Sequence, residues 1–131
     1  AVKRLCIDRL PLILIVHLKR FVFDPETGDI GKSFRHVPIP QVLELAGNPF
    51  IATSCASPFP QLTNNLAYRL QAVVYHSGRS AHGGHYTCHV RDGDGRWWHC
   101  DDTAVHPASG EAIGATERQR TPYLLFYERL L

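Results

Sequence analysis

The stretch HYTCHVRDGDGRWWHCDD, residues 85–102, constrains this chain more than any other part of it. Two runs rich in β-branched and aromatic residues flank Asp-Gly-Asp-Gly, whose glycines supply the positive φ of a tight turn, so the segment reads as two antiparallel strands joined by a hairpin. Side chains alternate along a strand, which puts His85, Thr87 and His89 on one face and Tyr86, Cys88 and Val90 on the other. On the return strand Trp97, His99 and Asp101 share a face, opposite to Trp98, Cys100 and Asp102. A three-residue loop at 92–94 sets His85 across from Asp101, and a four-residue loop at 92–95 sets it across from Asp102. Cross-strand Cβ atoms lie about 5 Å apart, close enough for a carboxylate to accept a hydrogen bond from an imidazole Nδ1–H. Both acids therefore stay candidates.

A histidine oriented by a carboxylate and preceded by Gly83-Gly84 is the base and orienter of a nucleophilic triad. The carboxylate fixes the tautomer and stabilises the imidazolium formed when the base takes the nucleophile's proton. The plainer reading is a structural His–Asp pair, since such ion pairs are common. A metal site is the third reading, because residues 76–90 also carry His76, His82 and His89. His85 and His89 share a face but lie roughly 13 Å apart along a strand, too far for one ion. His82 and His85 with Cys100 or Asp101 surround a metal only if the loop folds back, and they lack the tight ligand pair of tetrahedral sites. No metal and no cofactor is expected. His17, His36 and His106 are scattered and read as ordinary core or surface histidines.

The remaining sequence supplies a sheet for the hairpin to join. LPLILIVHLKRFVF (10–23) reads as one buried strand, DPETGD (24–29) as a turn, and SFRHVPIP (33–40) as an edge strand whose prolines cannot donate to a ladder. QVLELAG adds one helical turn, and 48–65, dense in Pro, Ser, Thr and Asn, reads as a long surface connection. AYRLQAVVYH (67–76) and TPYLLFYERLL (121–131) are further strands. Five or six mainly antiparallel strands with little helix make an α+β or all-β piece. At 131 residues this is one domain, and 44% apolar with 20% charged residues is a globular composition. A net charge of +2 without a basic stripe gives no reason to expect nucleic acid as a partner. The longest apolar run, LPLILIV, falls far short of the roughly 20 residues of a membrane span. Four cysteines without a CxxC pair read as free thiols in a reducing compartment. No methionine occurs, and core-like sequence begins almost at once, as in a piece of something longer.

In order and spacing, LPLILIVHLKRF, YRLQAVVYHSGRSAHGGHYTCHV, RWWHCDDTAV and PYLLFYER closely resemble the C-terminal half of the ubiquitin-specific protease catalytic domain, the deubiquitinases of the papain-like cysteine protease class. The likeness fails only at about 48–65 and about 106–120. It implies an α+β, papain-like fold, with residues 1–131 forming the palm-like, His-box portion on a mainly antiparallel twisted sheet and the N-terminal Cys-box portion absent. It makes His85 the general base and Asp101 its orienter, with Asp102 similar to a second supporting polar residue. Ser77–Gly84 matches a mobile loop that lies over the C-terminal tail of ubiquitin; Ser77, Gly78, Gly83 and Gly84 would let it approach and move. Tyr86 and Trp97 would line or support that cleft, or simply pack in the sheet. The partners implied are ubiquitin, ubiquitinated proteins and the missing N-terminal half, within the cytoplasm or nucleus.

One departure matters. The family's nucleophilic cysteine sits in an N-terminal motif at the start of a helix, and nothing like that motif occurs here. Alternation points Cys88 and Cys100 away from His85, as small core residues; Cys6 precedes the first strand and Cys55 sits in the divergent loop. The expected function is therefore a thiol-dependent ubiquitin isopeptidase to which this chain supplies base and orienter, inactive by itself. A non-catalytic ubiquitin-binding or scaffold module of the same fold is the alternative.

Overall fold

The computed structural model describes residues 1–46, 48–51 and 66–130. The described residues form nine strands: β1 (Ile13–His17), β2 (Phe21–Phe23), β3 (Ile30–Lys32), β4 (Val42–Glu44), β5 (Ala67–Ser77), β6 (His85–Arg91), β7 (Trp97–Asp101), β8 (Ala104–Ala108) and β9 (Arg120–Arg129). Among the described residues the only helical element is a 3-10 turn at Gly110–Ala112, capped by the Ser109 hydroxyl. None of their helices is long and apolar enough to cross a membrane.

Strand order in the main sheet is β1-β9-β5-β6-β7-β8, all antiparallel, and β4 pairs with the start of β5. β2 and β3 form a separate hairpin closed by the expected turn, where Gly28 takes a positive φ of 74°. β5 is the spine, flanked by β9 on one edge and by β4 and then β6 on the other. Its buried hydrophobic residues are Tyr68 and Leu70, then Val73 and Tyr75, so the inward parity switches once. The switch is a β-bulge at Gln71, seen as a register shift against β9 between Leu70 and Ala72. Leu10, Leu45, Trp97, Ile113, Leu125 and Tyr127 complete the core against these four side chains.

The other sheet face is apolar but open. The register carries Ile15, Phe126, Ala72, Val90, Trp98 and Pro107 across six strands as one row. Ile15 is 57% and Val90 40% exposed. Cys88 and Cys100 lie directly opposite each other on this face, half-buried rather than in the core. Burial and the neighbouring Cys100 thiol push the Cys88 thiol pKa up.

Four expectations change. The strand expected over 10–23 is two, because the Arg20 guanidinium turns inward to the Pro122 and Arg35 carbonyls and the chain leaves the sheet there. The edge strand expected at 33–40 is irregular, the strand ending at Lys32 before Pro38 and Pro40. The helical turn expected in QVLELAG is β4, since pairing with β5 overrides local propensity. β8, the sequence AVHPA, was not expected and extends the sheet beyond Asp101. The connection expected over 48–65 lies mostly outside the described residues.

His89 is buried on β6, with its Nδ1 accepting a 2.7 Å hydrogen bond from the Tyr75 hydroxyl, which itself accepts from the Gly114 amide. Burial, then Arg120 and His99, hold its pKa down at about 4. A histidine depressed in the folded state contributes stability above its unfolded value that is lost as the pH falls toward the folded one. Between about pH 7 and about pH 4 this site alone is expected to remove about 3 kcal/mol. Denaturant titrations at the two pH values should show that loss in the native chain and not in His89→Leu; equal losses in both would contradict it.

Candidate active site

The hairpin between β6 and β7 is wider than either register expected from sequence. Arg91 pairs with Trp97, so residues 92–96 form the loop. Asp92 stabilises this length: its carboxylate accepts from the Asp94 amide at 3.0 Å, the Arg96 amide at 2.9 Å and the Trp98 indole N–H at 2.9 Å. These bonds, the indole's first, hold its pKa below the usual carboxylate range. Gly95 closes the turn at φ 85°.

The ladder therefore ends at Cys88 opposite Cys100, and Asp101 follows on at the level of Thr87 rather than His85. The shift is two residues from the three-residue-loop register and one from the four-residue-loop register, and it leaves Asp101 on the face of His85 as a diagonal neighbour. The two side chains meet there. His85 Nε2 lies 2.6 Å from Asp101 Oδ1, with side-chain exposures of 48% and 45%. The bonding nitrogen is thus Nε2, not the Nδ1 expected from sequence, and among the described residues Nδ1 has no hydrogen-bond partner. The Asp101 hydrogen bond, then its charge, raises the His85 pKa, and the Asp102 charge adds slightly.

Asp102 does not share that bond. It sits in the tight turn between β7 and β8 at a φ of 49°, a left-handed conformation that aspartate tolerates. Its carboxylate, that of Asp101 and the His85 ring lie within 4.8 Å of one another. These three donors could touch one divalent ion, but the closest pair is already joined by its own hydrogen bond, and exposed acids gather in this way without a metal. Neither His82 nor Cys100 belongs to the group.

Ser77 pairs with His85 across β5 and β6, so the loop between them starts and ends beside the histidine. Gly78 and Gly84 take positive φ values of 130° and 147°, and a Cβ on Gly84 would overlap the His76 ring and the Ser77 carbonyl. Gly83 has no such need, since a Cβ there meets nothing within 4 Å. Tyr86 is 54% exposed on the sheet face opposite His85, its ring edge-on to His76. Trp97 packs in the hydrophobic core. Glu117, Arg118, Gln119 and Arg120 with Ser77 line a shallow depression beside the loop. These four come from the poorly matching stretch and carried no signal in the sequence.

A half-exposed His–Asp pair at a strand end, beside a glycine-hinged loop, has the geometry of a base with one nitrogen oriented and the other free. The family model described as ubiquitin carboxyl-terminal hydrolase matches residues 3–127. This chain belongs to the ubiquitin-specific protease family. Ubiquitin carboxyl-terminal hydrolase 10 of Rattus norvegicus is 37% identical over 98% of the chain, and probable ubiquitin carboxyl-terminal hydrolase 3 of Schizosaccharomyces pombe is 35% identical over 98%. The chain spans only 16% and 26% of those two relatives. Among solved structures, the Ubp8–Sgf11–Sgf73–Sus1 SAGA DUB module matches at a TM-score of 0.70, 27% identity and 93% of this chain, which covers 25% of the matched one. The same module bound to monoubiquitin matches at 0.73 and 25% identity, with 93% of this chain and 24% of that one covered. The papain-like protease fold expected from the sequence is thereby established, although the described part of this family member contributes sheet and almost no helix.

Proposed function

We propose that these 131 residues are the base-bearing half of a deubiquitinase catalytic domain, acting on the bond that follows the C-terminal glycine of ubiquitin. The observation that carries this reading is the His85 Nε2 to Asp101 Oδ1 bond of 2.6 Å with Nδ1 left open. The nucleophile comes from residues outside the described part of this chain, since the group around His85 includes no cysteine and Cys88 and Cys100 occupy the opposite sheet face. The open apolar row of that face fits a domain of which further parts pack elsewhere on the sheet.

In the reaction, a cysteine thiol gives its proton to His85 Nδ1 and the thiolate attacks the ubiquitin glycine carbonyl. Asp101 stabilises the imidazolium so formed. His85 then returns the proton to the departing lysine amine as the C–N bond breaks. In the second half His85 takes a proton from water, whose oxygen attacks the thioester carbonyl, and the cysteine leaves re-protonated. Ser77–Gly84 lies over the ubiquitin tail, where Gly78 and Gly84 permit its close turns.

Hydrolysis of a fluorogenic C-terminal amide of ubiquitin tests this reading. The full-length polypeptide that carries these residues is expected to turn it over and the 131-residue chain is not. Ubiquitin binding without turnover by the full-length polypeptide would instead make it a ubiquitin-binding scaffold.

A further inference from the structure

One half-buried cation takes no part in the reaction. The Lys32 ammonium, at the end of β3, lies 2.9 Å from each of four acceptors: His76 Nδ1 and the carbonyl oxygens of His76, Gly78 and Gln119. An ammonium has three protons and no acceptor, so it donates to all four by sharing, and His76 Nδ1 must be unprotonated. His76 is 2% exposed at the end of β5. Burial first, then the Lys32 charge, lowers its pKa and keeps it neutral, with the proton on Nε2. The backbone of Gly83 hydrogen-bonds to the ring, and Gly84 is packed so closely on it that no Cβ fits. The ring of Tyr86 meets His76 edge-on at 5.1 Å.

His76 therefore touches the residues on both flanks of His85, Gly83 and Gly84 before it and Tyr86 after it. Lys32 fastens the start of the intervening turn, through the His76 and Gly78 carbonyls, and ties it to Gln119, beside the depression next to the loop, while the His76 ring meets the far end at Gly84. From this we infer that Lys32 and His76 form a clasp, a pair of positioning residues that fix the 77–84 loop and hold the His85 ring against Asp101. Neither residue touches the reacting atoms. The clasp acts through backbone carbonyls, so a change of loop sequence at Arg79–Ala81 leaves it intact. The inference rests on the reading of His85 as the base, but its structural part can be measured without ubiquitin.

Imidazole nitrogen-15 spectra of the 131-residue chain near neutral pH are expected to show His76 neutral with Nδ1 unprotonated; a proton on Nδ1 would overturn the clasp. In Lys32→Met, which keeps the length and loses the donors, the titration midpoint of His85 should move down toward that of an ordinary histidine, and the Gly83 and Gly84 amide signals should shift or broaden. An unchanged His85 midpoint with unchanged glycine signals would sink the proposal. Should Lys32→Met fail to fold, Lys32→Gln carries the same expectation. In the full-length polypeptide the same substitution is expected to lower kcat for the ubiquitin amide about tenfold while KM changes little, a loss typical of a misplaced catalytic group. A simple loss of stability would lower the thermal midpoint and leave both the His85 titration and kcat below that midpoint untouched. If the spectra change as expected while the unsubstituted polypeptide never turns over, the clasp stands and the deubiquitinase reading fails.

Discussion

His85→Ala is expected to lower kcat/KM of the full-length polypeptide for a ubiquitin C-terminal amide by at least about 10²- to 10⁴-fold, the contribution of one positioned base, and by more if cysteine and histidine act as a unit. The ring is half-exposed and makes one side-chain hydrogen bond, to Asp101, so its removal leaves no buried group unpaired. Stability should hardly change, and binding of ubiquitin should persist. Steady-state kinetics with a thermal midpoint measured alongside separate the two effects. A variant that kept turnover within about threefold would remove His85 from the mechanism.

Asp101→Asn tests the orienter. The Asn amide can keep a contact with Nε2 at the same place, but if its N–H group faces the ring it turns Nε2 into an acceptor and moves the proton to Nδ1, the nitrogen that must accept from the thiol. Loss of the carboxylate also withdraws the hydrogen bond and charge that raise the His85 pKa. The expected outcome is a kcat lower by about 10²- to 10⁴-fold together with a His85 titration midpoint lower than in the native chain. Asp102→Asn should do much less, because Asp102 makes no bond to the ring and contributes the smallest of the charges acting on it. Equal losses from the two substitutions would mean that the two acids share the role, as the sequence alone allowed.

Strand alternation brought both Asp101 and Asp102 within reach of His85 but left the choice between them open, and only the family resemblance favoured Asp101. The observed register differs by two residues from that of the three-residue loop and by one from that of the four-residue loop; two is the strand period, so Asp101 has the face the first register gave it while the partners along the ladder changed. The loop length itself was hidden in the three N–H bonds of Asp92, which no spacing rule weighs. Alternation likewise gave the correct face for Cys88 and Cys100, though not their exposure, because nothing in a strand's own sequence says which sheet face is covered. The break between β1 and β2 was invisible for a related reason: Arg20 reads as a surface residue until the Pro122 and Arg35 carbonyls are brought to it by the fold. The Lys32–His76 clasp joins residues 44 positions apart and had no local signal at all. Of the loop residues, Gly78 and Gly84 carry a conformational need the glycine pattern announced, whereas Gly83 does not.

The most direct test of the central claim is labelling by a ubiquitin whose C-terminus carries an electrophile, read by intact mass on the full-length polypeptide, on its His85→Ala variant and on the 131-residue chain alone. A single adduct is expected on the first and none on the other two. An adduct on the isolated chain would place the nucleophile among its own cysteines, and an undiminished adduct on His85→Ala would show that the histidine held by Asp101 is not the base.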